Sequence, residues 1–330
     1  MELSFLNRRK LLGLGAGSAT AVALGTSAQA APSEVDARRT PSSSDLAASL
    51  PGSFTSEYVQ TNGVRLHYVA GGSGTPLILL HGWPQTWWEY RAVMPDLAAK
   101  YRVIAVDLRG GGDSSKPQSG YDKKTMAADI AGLITALGYT KAHVVGHDIG
   151  AMVAFSLAVN TPQAVDKLVM LDVTHPDSGY YEARMLPVPG AGFHPWWWAF
   201  NQVNGLPEGL VTGRSRLLID WMFDSFLVNQ DAVCAADRAI FAHAYATPDA
   251  IRGSNGWYKT FGQDIIDNET YGQIATPTLG LASPAFYPSF AAVLSQQATN
   301  LQLAQIEDTG HYFLDEQPAA VVAHLTAFLG

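Results

Sequence analysis

Gly146-His147-Asp148-Ile149-Gly150 decides how this 330-residue chain is read. The apolar, β-branched run Lys141-Ala142-His143-Val144-Val145 precedes it, and the helix-like run Ala151-Met152-Val153-Ala154-Phe155-Ser156-Leu157-Ala158 follows. Strand, small-x-acid-x-small turn and helix together make a nucleophile elbow, in which only small residues fit two places either side of the apex. The apex side chain is thrust clear of the backbone, and here it is a carboxylate. A serine at that point implies acyl transfer. An aspartate attacks saturated carbon, opening an epoxide or displacing a halide, and becomes an alkyl ester. The same residues also suit an Asp capping a helix after a buried strand, so the surrounding chain has to arbitrate.

Working outward, apolar runs alternate with helix-period segments. Strands are expected at 76–80, 103–107, 142–147, 167–172, 277–282 and 301–306, with helices starting near Thr86, Lys124, Ile149, Pro288 and Pro318. A hairpin turning at Asn62-Gly63 precedes them. This alternation implies an α/β fold with a mostly parallel sheet and helices on both faces. Residues 175–270 break the rhythm: they lack a clear strand and are rich in Trp, Tyr, Pro and Gly. They read as a helical cap inserted after strand six, over the sheet edge where open α/β folds bind ligands. The core then comprises 55–174 and 271–330.

A nucleophile of this kind needs an oxyanion hole, a base and an acid that orients the base. His81-Gly82-Trp83-Pro84 follows the strand ending at Leu80. The Trp83 backbone N–H is expected to join that of Ile149 in holding the charge that forms when water attacks the ester. The Trp83–Pro84 bond is a candidate cis peptide. Glu307-Asp308-Thr309-Gly310-His311 places His311 after the last strand, where it deprotonates that water. His67, His243 and His324 read as structural or surface residues. The acid commonly follows the seventh strand in this topology, yet that segment reads Leu281-Ala282-Ser283-Pro284 and holds no carboxylate. Asp172, after the sixth strand, takes the role of fixing the imidazole tautomer, with Asp177 as a weaker substitute.

As a set, His81-Gly82-Trp83-Pro84 with Trp87-Trp88, Asp107-Leu108-Arg109-Gly110-Gly111-Gly112-Asp113-Ser114, Gly146-His147-Asp148 and Gly310-His311 resemble the α/β-hydrolase-fold epoxide hydrolases and the related haloalkane and haloacetate dehalogenases. The resemblance implies an eight-stranded sheet. It does not choose between the two reactions, because both begin with aspartate attack and end with ester hydrolysis. The cap carries that choice. Gly256-Trp257-Tyr258-Lys259 resembles the epoxide hydrolase segment bearing a ring-opening tyrosine, which assigns Tyr258 that role. Aligning Phe200-Asn201-Gln202 with the family pattern puts Trp196 where epoxide hydrolases carry Tyr, or His in a secreted subgroup. Trp196 or Trp197 can donate a hydrogen bond but cannot give up a proton, and His194 serves only under a different register. His147 and His81 are expected beside Trp196 and Trp197 in the substrate or leaving-group pocket.

The tryptophans lean toward halide binding, or toward simple packing. Haloacetate dehalogenases also place their acid 24 residues after the nucleophile, as Asp148 and Asp172 are here. However, that group carries arginines where this chain has Ile149 and Met152. The secreted bacterial epoxide hydrolases share His147-Asp148-Ile149-Gly150, the acid after strand six, and the tyrosine matched by Tyr258. The expectation is therefore epoxide hydrolysis, with dehalogenation as the alternative.

Asn7-Arg8-Arg9-Lys10, an uncharged small and apolar stretch, and Ala28-Gln29-Ala30 read as a twin-arginine signal over 1–30, giving a periplasmic or secreted protein. Residues 31–54 read as a linker. The chain carries net charge −8; removing Glu2, Arg8, Arg9 and Lys10 takes away +2 and leaves −10. Such acidity argues against nucleic acid and anionic membrane surfaces as partners. The single Cys234 excludes an internal disulfide and looks like a buried helix position. No metal-ligand spacing appears among the histidines, so neither metal nor cofactor is expected. The implied partner is a small apolar epoxide or halide.

Overall fold

The computed structural model describes residues 40–187, 189 and 194–330; the signal assigned to 1–30 and the first part of the linker lie outside them. Strands β1 (Phe54–Thr61) and β2 (Val64–Gly71) pair antiparallel, joined by Asn62 and Gly63. Both turn residues have positive φ, 44° and 77°, the conformation that matches a tight turn to the twist of the hairpin.

β3 (Thr75–Leu80), β4 (Tyr101–Val106), β5 (Ala142–His147), β6 (Val165–Leu171), β7 (Thr278–Ala282) and β8 (Leu301–Gln305) complete an eight-stranded sheet in the order β1-β2-β4-β3-β5-β6-β7-β8. All neighbours from β4 to β8 are parallel. The expected strands match these within two residues. β3 to β6 are buried along nearly their whole length and rich in Val, Ile and Leu, because helices cover both faces there and leave no solvent side to alternate with. After β4 the chain crosses back to place β5 on the far side of β3. The reversal leaves a crevice at the carboxyl ends of β3 and β5, where ligands of open α/β sheets bind.

Between β6 and β7 the described residues hold no strand, only helices, including Trp196–Gln202, Ser215–Phe226, Ala235–Ala244 and Pro248–Lys259. Buried polar bonds seat this cap. The Trp257 indole N–H donates to the Arg109 carbonyl (2.8 Å), and Lys123, fully buried, binds the Trp257 carbonyl (2.6 Å) and the Asp264 carboxylate (2.8 Å).

Two expectations are corrected. Residues 40–54 are not a linker: Ser43–Ser49 is a helix whose N-terminus is closed by reciprocal Ser42 and Asp45 bonds, and which buries Leu46 and Ala47. The Ser-x-x-Asp signature was present in the sequence. Cys234 is exposed and precedes the helix Ala235–Ala244, with its thiol donating to Asp237 (3.2 Å). A charged acceptor three residues on holds it at the helix start rather than in the core.

Gly63 has positive φ and nothing within 4 Å of where a Cβ would stand. Gly63→Ala should therefore lower unfolding stability by about 1 kcal/mol, from backbone strain alone. Denaturant unfolding checks this, with m-value and activity unchanged.

Candidate active site

Asp148 sits between β5 and the helix Ile149–Asn160 with φ 49° and ψ −117°, a strained conformation for a residue with a side chain. Its neighbours permit it. A Cβ on Gly146 would strike the Gly150 carbonyl, and one on Gly150 would strike the Leu80 carbonyl. The turn presses that closely on itself and on the end of β3, so the carboxylate lands beside the loop that follows β3. There the Trp83 N–H donates to Asp148 Oδ1 at 2.8 Å. The Trp83–Pro84 peptide is cis, as expected. Ile149 is the first helical residue, so its N–H has no acceptor within the helix and is available to a developing anion.

His311 lies in the loop after β8, and its Nδ1 is 2.6 Å from Asp172 Oδ2. Asp172 follows β6 with φ 64°. Its other oxygen, Oδ1, accepts both the N–H (2.7 Å) and the hydroxyl (2.8 Å) of Ser283. Ser283 was not singled out from sequence. It follows β7, and from there it holds the carboxylate of Asp172 that comes from β6. The His311 backbone is tied down as well: its N–H donates to the Phe226 carbonyl of the cap (3.1 Å), and its carbonyl lies 3.1 Å from His147 Nε2. Asp177 instead caps the short helix Ser178–Glu182.

The cavity over Asp148 measures about 60 Å³, room for a few waters. Trp83, Ile149, Met152, Trp197, Tyr258 and His311 are among its lining residues, with further aromatic walls from Trp198, Phe226, Phe261 and Phe286. Tyr258 is buried, its ring edge-on to Trp83 at 5.5 Å. Burial and the nearby Asp148 charge push its hydroxyl well above the usual phenol range, against a smaller opposing hydrogen bond with the Trp197 side chain. The phenol therefore stays protonated at neutral pH.

Three expected pocket residues do not line this cavity. Trp196 packs against Trp197, Phe200 and Trp221, because on the helix Trp196–Gln202 it is the two following residues that face the cavity over Asp148. His81 and His147 are fully buried beneath the elbow, in contact with backbone and with Glu89. His194, the residue held back for a different register, is not a lining residue either. The cavity walls Trp198, Met222, Phe226, Phe261 and Phe286 were missed: an apolar side chain carries no sequence signal that separates a pocket wall from core.

Residues 75–318 match the α/β-hydrolase fold family model. The soluble epoxide hydrolase of Corynebacterium sp. strain C12 is 33% identical over 82% of this chain and 95% of its own length. The fluoroacetate dehalogenase of a Burkholderia species is 29% identical over 84% and 94% respectively. Among solved structures, epoxide hydrolase CorEH superposes with TM-score 0.75 at 32% identity, covering 83% of this chain and 98% of that one. The chain belongs to the α/β-hydrolase fold family and is, within it, an epoxide hydrolase-like enzyme.

Asp172→Asn should leave the fold intact and cut turnover by about 10³–10⁴, since the amide presents the wrong partner to His311 Nδ1. Ser283→Ala, which removes one of two bonds to Asp172, should cost only about tenfold. Steady-state rates on matched, folded variants decide both.

Proposed function

We propose that this enzyme opens small apolar epoxides to vicinal diols through an ester on Asp148. Asp148 Oδ2 attacks an epoxide carbon as the ring C–O bond breaks, and the departing oxygen takes the proton of Tyr258. His311 then removes a proton from water, which adds to the ester carbonyl. The N–H groups of Trp83 and Ile149 hold the resulting oxyanion. Its collapse releases the diol and restores the carboxylate. Asp172 fixes the His311 tautomer and stabilises the imidazolium, which returns its proton to the Tyr258 phenolate.

The observation that carries the epoxide reading is Tyr258, buried in the wall of the same cavity as Asp148. Burial and the Asp148 charge keep its phenol protonated, so it has a proton to give. An alkoxide needs such a proton. A halide would need only hydrogen-bond donors. Ile149 and Met152, apolar where haloacid enzymes carry arginines, argue further against an anionic substrate. The aromatic walls and the dehalogenase relative favour a neutral haloalkane as the second reading. The twin arginine and Ala28-Gln29-Ala30 support export of the folded enzyme.

Turnover of styrene oxide and propylene oxide should be compared with that of 1-bromobutane and 1-chlorobutane, following diol and halide separately. Diol without halide is the expected result, with Tyr258→Phe losing about 10²-fold or more on epoxides. Halide release without diol would overturn the epoxide reading and leave the Asp148, Asp172, His311 assignment to serve a dehalogenase.

A further inference from the structure

The peptide that supplies the Trp83 N–H is held from below by groups that never touch the cavity. His81 Nε2 accepts the Leu108 N–H (3.1 Å), which places the ring proton on Nδ1, and Nδ1 donates to the Gly82 carbonyl (2.8 Å). The carbonyl and N–H of one peptide point opposite ways. Holding the Gly82 oxygen down therefore aims the Trp83 N–H up at Asp148. The N–H of Gly82 donates in turn to Glu89 Oε2 at 3.0 Å. Glu89 lies in the short helix Trp87–Ala92 and is buried. Its other oxygen is 3.3 Å from His147 Nδ1. Beyond that, His147 Nε2 reaches the His311 carbonyl, and the His147 ring lies 4.6 Å from the His311 ring. One connected path thus runs from the oxyanion loop, under the nucleophile, to the loop carrying the base.

We propose that Glu89 and His147 are positioning residues, a buried ion pair that holds the Trp83 N–H and the His311 loop in register over Asp148 for hydrolysis of the ester. The inference rests on the reading that Asp148 forms an ester, whether from an epoxide or a halide. Neither residue lines the cavity, so both act only through what they hold. Burial opposes charge on His147, but Glu89, helped by Asp148 and Asp172, overrides it and lifts the imidazole to about 9. A doubly protonated ring pairs by charge with Glu89 on its Nδ1 side, at ion-pair distance and not as an aligned hydrogen bond, while Nε2–H meets the His311 carbonyl. Tyr90, Tyr245, Tyr312 and Asp315 are the other ionisable groups facing Glu89. An apolar pair would leave the Gly82 N–H and the His311 carbonyl buried without partners, which is costly.

The two chemical steps separate this role from mere fold support. Alkylation of Asp148 develops no oxyanion and needs no water base; hydrolysis needs both. Glu89→Gln, Glu89→Ala and His147→Gln are to be measured by rapid quench with styrene oxide and 1-bromobutane as alkylating probes, alongside intact-protein mass. Ester hydrolysis should slow at least about tenfold while alkylation stays within about threefold, so alkyl-enzyme accumulates during turnover. Glu89→Gln, which keeps an acceptor for Gly82, should retain more hydrolysis than Glu89→Ala. The double variant Glu89→Gln/His147→Gln should be little worse than either single one. Equal loss in both steps, or losses that multiply in the double variant, would overturn the proposal.

A substrate-free arm stands apart from the reading of the reaction. In ¹⁵N-histidine spectra at neutral pH, His147 should carry both ring protons in the native enzyme and one in Glu89→Gln. A neutral His147 in the native enzyme overturns the ion pair, whatever the enzyme turns over. Should Glu89 variants not fold, His147→Gln reports on the same two steps.

Discussion

The close approach of the elbow after β5 to the end of β3 is the constraint on which the rest depends. Because residues 146 and 150 lack side chains, Asp148 can take its positive φ, and its carboxylate stands within reach of the Trp83 N–H. The strain of that turn is of order 1–3 kcal/mol, and the most deeply buried part of the sheet surrounds it. β3, β5 and β6 have almost no exposed residue, and the helix Ile149–Asn160 is buried along most of its length. The hydrophobic core acts here as the clamp that keeps a reactive carboxylate in one orientation.

Around that point the site is assembled from loops that the sheet brings to one edge. β6 delivers Asp172, β7 delivers Ser283, β8 delivers His311, and the cap delivers Tyr258 and Trp197. Each group is fixed by a partner from another loop, as with Ser283 on Asp172 and Phe226 on the His311 N–H. Polar contacts under the site are therefore as much a part of its construction as the aromatic walls above it. Glu89, His147 and His81 are buried ionisable side chains whose hydrogen bonds go largely to the backbone of catalytic loops.

Much of this was legible in the sequence, for reasons specific to each element. Short apolar stretches rich in Val, Ile and Leu mark buried parallel strands, and small residues spaced around an acid mark the elbow. His311 and Asp172 could be expected to meet because the topology brings the loops after β6 and β8 to one sheet edge. What could not be read is rotational and lateral. Three consecutive tryptophans at 196–198 give no hint of which faces the nucleophile, and the cap helix turns Trp197 and Trp198 inward while Trp196 packs on Trp221. His147 and His81 adjoin catalytic residues in sequence yet point away from the cavity, since successive residues in a tight turn leave it in different directions. Glu89 carried no local signal, because its role is set by contacts to residues far from it in the chain.

The central claim is that oxygen reaches the product through the Asp148 carboxylate and not directly from water. A single turnover of styrene oxide in heavy-oxygen water, with enzyme in excess, measures this directly. Mass analysis should find the first diol unlabelled and the label retained in the peptide containing Asp148. Label in the first diol, with none in that peptide, would contradict the account.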